Sequence, residues 1–127
     1  SKILQEEARL DEIVRLVGMD ALSPRDRLTM EAAKSVREDY LHQNSFHEVD
    51  TYTSLKKQFK MLKLIVDFYF QELRALDRGV SVNAILKLPC REQIGRAKYV
   101  VESDMSALDG IHADMTRELA ELKKEDE

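Results

Sequence analysis

Apolar side chains at Ile3, Leu10, Ile13, Val14 and Val17 keep to one helical face while Gln5, Glu12 and Arg15 lie opposite, so the spacing predicts an amphipathic helix over residues 3–17. Gly18 follows the last apolar position, where a residue without a Cβ takes a left-handed cap at least cost. Beyond it, Ser23 can cap a second helix, Pro24 suits its first turn and Asp26 favours the positive end of its dipole. That helix is predicted over residues 24–43, burying Leu28, Ala32, Val36 and Tyr40, with Arg27 and Glu31 paired on the outer face. Together the two read as a helical hairpin.

The periodicity fails over residues 44–53, a polar stretch holding Phe46 and Tyr52, which reads as an ordered loop. The longest helix is predicted over residues 54–78, with Leu55, Phe59, Leu62, Val66, Tyr69, Leu73 and Leu76 inward and Gly79 ending it. Ser81 caps a short turn, Pro89 breaks the chain before a helix over residues 90–101, and Glu92 and Arg96 are spaced to pair along it. A last helix from about residue 103 puts Leu108, Met115, Leu119 and Leu122 on one face, and residues 123–127 form a tail expected to fray. The pattern predicts an all-α fold, a compact bundle of five or six helices that opens with a hairpin.

Composition narrows the function classes. At 127 residues, 43% apolar and 35% charged, the chain fits one domain, and with four Gly and two Pro it has too few corners for a β-sandwich or barrel. Twenty Lys plus Arg against 24 Asp plus Glu give a net charge of −4, which argues against nucleic acid as a partner. No apolar run is long enough to predict a transmembrane segment, and the single Cys90 with no signal-peptide pattern points to a reducing compartment. The chain begins Ser-Lys, directly in a periodic segment, as a piece of a longer protein would.

No GxxxxGK[ST], GxGxxG, CxxC, HExxH or GxSxG occurs, so no catalytic residue is assigned. Asp39-x-x-His42 and Asp109-x-x-His112 faintly resemble bundle metal motifs, but these use Glu and need further inward carboxylates; surface polarity explains the pairs better and no metal ligand is assigned. Cys90 at a helix start could be a reactive thiol, although a small buried core thiol is the expected role. Lys56, Lys57, Lys60 and Lys63 could hold an anion, and read more simply as a solvated face. Two features are harder to explain blandly: aromatic Phe46 and Tyr52 in a polar loop, and apolar Met19 and Leu22 presented at a hairpin tip.

The stretches Ile-Leu-Gln-Glu-Glu-Ala-Arg-Leu-Asp-Glu-Ile-Val-Arg-Leu-Val-Gly-Met-Asp-Ala-Leu-Ser, Leu-His-Gln-Asn-Ser-Phe-His-Glu-Val-Asp-Thr-Tyr, Lys-Lys-Gln-Phe-Lys-Met-Leu-Lys and Ile-Leu-Lys-Leu-Pro-Cys-Arg-Glu-Gln-Ile-Gly-Arg-Ala-Lys-Tyr together cover most of the chain. They resemble the C-terminal helical domain of the catalytic A subunit of archaeal and vacuolar-type rotary ATPases. The resemblance implies a parent subunit whose β-barrel and nucleotide-binding domain, with the phosphate loop, lie outside these residues. It further implies ATP or ADP with magnesium in the parent and none on this piece alone, B subunits as partners in an A3B3 hexamer, and central-stalk rotor subunits. The setting implied is the cytoplasmic face of a membrane complex that moves protons or sodium.

By the same resemblance the tip formed by Met19, Asp20, Ala21, Leu22, Ser23, Arg25 and Asp26 contacts the rotor. In the related β subunit of bacterial and mitochondrial enzymes this place reads Asp-Glu-Leu-Ser-Glu-Glu-Asp. Here Asp20, Leu22, Ser23 and Asp26 keep the pattern, whereas Ala21, Pro24 and Arg25 replace the three glutamates, which favours a steric push over a charged one. Phe46 corresponds to an aromatic beside the adenine, with Tyr52 as its companion. Two other readings remain open on the residues alone: a free-standing helical adaptor binding proteins through residues 19–22, and a bundle metalloenzyme.

Overall fold

The computed structural model describes residues 2–41, 55–100, 104–124 and 126, with residues 39–41 as backbone only. Six α-helices occur among these residues, and no strand. They are α1 (Lys2–Val17), α2 (Pro24–Ser35), α3 (Leu55–Asp77), α4 (Val82–Leu86), α5 (Cys90–Gly95) and α6 (Ser106–Glu121). A 3-10 turn at Met19–Ala21 joins α1 to α2, which continues in π-helical geometry through Val36–Leu41.

The helix ends follow from local chemistry. Ser23 Oγ accepts a 3.1 Å hydrogen bond from Asp26 N, and Pro24 stands in the first turn of α2. Gly79, at φ +93°, closes α3, with Val80 N donating to the Ala75 carbonyl at 3.1 Å and burying Val80 beyond it. Ser81 Oγ caps α4 by accepting from Ala84 N at 3.1 Å. The N-terminus of α5 is capped from another helix, since Glu118 Oε1 of α6 accepts from Cys90 N at 2.9 Å.

One core runs through α2, α3, α4, α5 and α6, built on Leu28, Met61, Ile85, Cys90, Met115 and Leu119. Burying each such side chain stabilises the fold by roughly 1.5 to 3 kcal/mol. Along the seam between α3 and α6 the links climb in step: Lys60 to Asp109 at 2.9 Å, Asp67 to His112 at 3.1 Å, Gln71 to Thr116 at 3.3 Å and Arg78 to the Leu119 carbonyl at 2.9 Å. The two helices therefore run parallel. In the tail expected to fray, Lys123 N donates to Asp126 Oδ2 at 2.8 Å and Ser81 Oγ donates to the Asp126 carbonyl at 3.2 Å.

The inward face expected for the long helix is corrected. Leu55 and Phe59 are 82% and 67% exposed, while Met61, Leu64, Ile65 and Phe68 are buried beside Tyr69 and Leu73. The helix carries two adjoining apolar stripes, displaced by about one position, and the one that packs also contains buried Lys57 and Glu72. Those two charges make it look the poorer hydrophobic face. Lys57 likewise leaves the expected solvated lysine face, its Nζ donating to the Lys98 carbonyl at 3.3 Å. On α1, Leu10 is buried as expected, but Val17 is 67% exposed rather than inward. Glu31 pairs with Arg91 Nη2 at 3.1 Å, across to α5, where an outward pair with Arg27 was expected.

Candidate functional site

The hairpin projects a short turn whose shape begins with Gly18. At φ +95° and ψ 167° its backbone occupies an extended region that only glycine adopts without strain, not the left-handed helical cap expected. Gly18 N still closes α1 on the Val14 carbonyl at 2.9 Å, and Ala21 N and Leu22 N bond back to Gly18 and Met19 carbonyls at 3.2 and 3.1 Å. The tip is thus a hydrogen-bonded corner.

Its side chains divide into a plug and a surface. Leu22 is 6% exposed and packs inward, which corrects the expectation that it stands out beside Met19. Met19 is 51% exposed, and Asp20, Ala21, Ser23 and Arg25 are exposed around it, with Asp26 partly covered near Arg9 at 4.0 Å. Two further side chains enlarge this surface in the last turn of α1: Leu16, which the apolar pattern left unassigned, and Val17, expected inward, are 75% and 67% exposed. The signal was available, because neighbouring Leu16 and Val17 followed by Met19 cannot all turn to the same side of the chain. Leu16, Val17 and Met19 give the end of the arm an apolar character beside the Asp20 carboxylate.

The arm is held to the body along α2. Thr29 Oγ1 donates to the Arg25 carbonyl at 3.1 Å and lies 2.7 Å from the Tyr69 hydroxyl on α3. Glu31 is held by Arg91 of α5, and an Arg37 to Glu7 ion pair ties the extension of α2 to α1. These links tie the hairpin to α3 and α5.

Phe46 and Tyr52 lie outside the described residues, as do His42 and His47, so the aromatic loop has no structural account. Cys90 is fully buried, and burial together with the Glu118 charge pushes its thiol up to about 12, the inert core role expected. His112 bonds to Asp67 and Asp109 to Lys60, and no group of three His, Cys, Asp or Glu gathers as metal ligands among the described residues. No described helix is long and apolar enough to cross a membrane.

Residues 1–86 match the family model of the C-terminal domain of V and A type ATP synthase. The chain belongs to that family. The V-type ATP synthase alpha chain of Acetivibrio thermocellus is 67% identical over 106 residues, which is 84% of this chain and 18% of that protein. The alpha chain of Thermoanaerobacter pseudethanolicus is 56% identical over 121 residues, 95% of this chain and 20% of that protein. That of Clostridium perfringens is 56% identical over 123 residues, 97% and 21% respectively. The chain thus spans about a fifth of the length of these relatives. The hairpin, α3 and α4 through Leu86 all fall within the matched domain, while α5 and α6 are covered by the similarity to the alpha chains.

Proposed function

We propose that this chain is the force-transmitting end of a V/A-type ATP synthase alpha chain, the catalytic A subunit, and that its hairpin arm bears on the central-stalk rotor. The observation that carries this reading is the tip itself: Leu16, Val17 and Met19 are 75%, 67% and 51% exposed around the turn that joins two pinned helices. Large apolar side chains left exposed around a turn suit a partner surface. Because Ala21, Pro24 and Arg25 stand at the tip without a run of acidic groups, contact is made by shape and apolar area.

The parent acts within an A3B3 hexamer with B subunits, exchanging ATP free energy for proton or sodium transport at the cytoplasmic face of a membrane. The chain contains no GxxxxGK[ST], and the phosphates of ATP or ADP with their magnesium are held by the rest of the parent subunit. Phe46, with Tyr52, offers a flat face to the adenine, and Phe46→Ala in the parent weakens nucleotide affinity by roughly 1 to 3 kcal/mol. Unchanged affinity would assign Phe46 to packing alone.

The direct test of the contact is Met19→Cys in the assembled parent complex, labelled with a thiol-reactive photo-cross-linker. Native Cys90 is buried and does not compete for the label. A product joining position 19 to a central-stalk subunit is expected. Products confined to B subunits, or none, would overturn the reading.

A further inference from the structure

We propose that Glu72, Arg91 and Glu31 form a proton-binding site beneath the hairpin arm, in which one proton on Glu72 decides whether Arg91 serves Glu31 alone or divides itself between the two carboxylates. The site stands apart from the tip and does not depend on the rotor reading.

The geometry is of one cation between two unequal acids. Arg91 Nη2 lies 3.1 Å from Glu31 Oε2, and Arg91 Nη1 lies 3.5 Å from Glu72 Oε2. The Glu31 side chain is 36% exposed and the Glu72 side chain 2%. Glu72 Oε2 has no hydrogen-bond partner, and the shorter of the two Arg91 contacts goes to the acid that water also reaches. Two carboxylates sharing one guanidinium do not ionise equally, and the buried one keeps its proton because a bare charge there loses hydration. Burial pushes the Glu72 carboxyl up to about 8, with Arg91 pulling it down and Glu31 pushing it further up.

Among the described residues, three elements bring titratable or charged groups around Glu72. Glu31 comes from α2, Arg91 and the Cys90 thiol from α5, and Glu118 of α6 lies behind Cys90. The guanidinium is thus the cation that answers a charge on Glu72 within this cluster. A cavity of about 30 Å³, lined by Glu31, Ser35, Glu72 and Arg91 among others, gives the proton a way out, being large enough for a water molecule. When the O–H bond of Glu72 breaks, the proton passes to solvent through this opening and Arg91 Nη1 closes on the new carboxylate. The Glu31 contact that holds α2 then loosens.

The test is a pH titration of the 127-residue chain carrying 13C at the glutamate side-chain carboxyls, followed by NMR. One carboxyl is expected to titrate near 8 and to be missing in Glu72→Gln. The Glu31 carboxyl is expected to show a second inflection at that same midpoint, which a merely structural Glu72 would not impose. In Glu31→Gln, a partly exposed change that leaves the core intact, the Glu72 midpoint is expected to fall, so the assignment survives even if Glu72→Gln fails to fold. A Glu72 carboxyl titrating near 4.5, or one that ignores Glu31→Gln, would overturn the proposal.

Discussion

Thr29 and Tyr69 meet through their hydroxyls at 2.7 Å in the buried contact between the hairpin arm and the long helix. Thr29 spends its one proton on the Arg25 carbonyl, so Tyr69 is the donor and Thr29 Oγ1 the acceptor. The polarity of this pair ranks two substitutions. Tyr69→Phe leaves only an acceptor lone pair unmet and costs about 1 kcal/mol, whereas Thr29→Val leaves a buried donor unpaired and costs about 1 to 3 kcal/mol. Urea unfolding of the two variants checks the order; equal stabilities to the parent chain would remove the hydroxyl pair as a pin of the arm.

The Glu72 carboxyl makes stability depend on pH in an unusual direction. Its folded value, about 8, lies above the ordinary 4.5, so the fold binds the proton more tightly than the unfolded chain does. The contribution is complete below pH 4.5 and is lost as pH rises through about 8, amounting to no more than about 5 kcal/mol. Glu72→Gln is expected to flatten this decline, measured as unfolding free energy at acidic, neutral and alkaline pH. Parallel pH profiles for the two proteins would contradict it.

At the tip, conformation and packing separate cleanly. A Cβ on Gly18 meets nothing within 4 Å, so Gly18→Ala costs only the backbone strain of its positive φ, about 1 to 3 kcal/mol. Leu22→Ala instead empties a buried position and costs roughly 2 to 5 kcal/mol. Thermal unfolding that left either variant unchanged would mean the corner is not a packed element of the arm.

Much of this was legible along the chain. Ser23, Pro24, Gly79 and Ser81 declared the helix ends because capping is local chemistry that needs no partner from afar. Cys90 read correctly as a core thiol for a similar reason, since small apolar groups are usually buried. The face of α3 was not legible, because two adjoining stripes satisfy helical spacing and the buried one includes Lys57 and Glu72, whose partners on Lys98 and Arg91 come from later in the chain. Leu22 was misplaced because sequence shows that a turn is apolar without showing which side chain tucks under it. Leu16 was passed over because a helix is read by its inward stripe, and Val17 was placed on that stripe because its spacing fits, although the last turn of α1 extends past the surface that covers Leu10.

In the proposed function the exposed tip transmits displacement between nucleotide and rotor. This is tested most directly by measuring ions transported per ATP hydrolysed in the assembled parent complex carrying Leu16→Ser, Val17→Ser and Met19→Ser together. These side chains are exposed, so the fold should persist. A fall in the transport ratio with nucleotide affinity unchanged is expected; an undiminished ratio in a complex that assembles normally would mean that the tip does not carry the displacement.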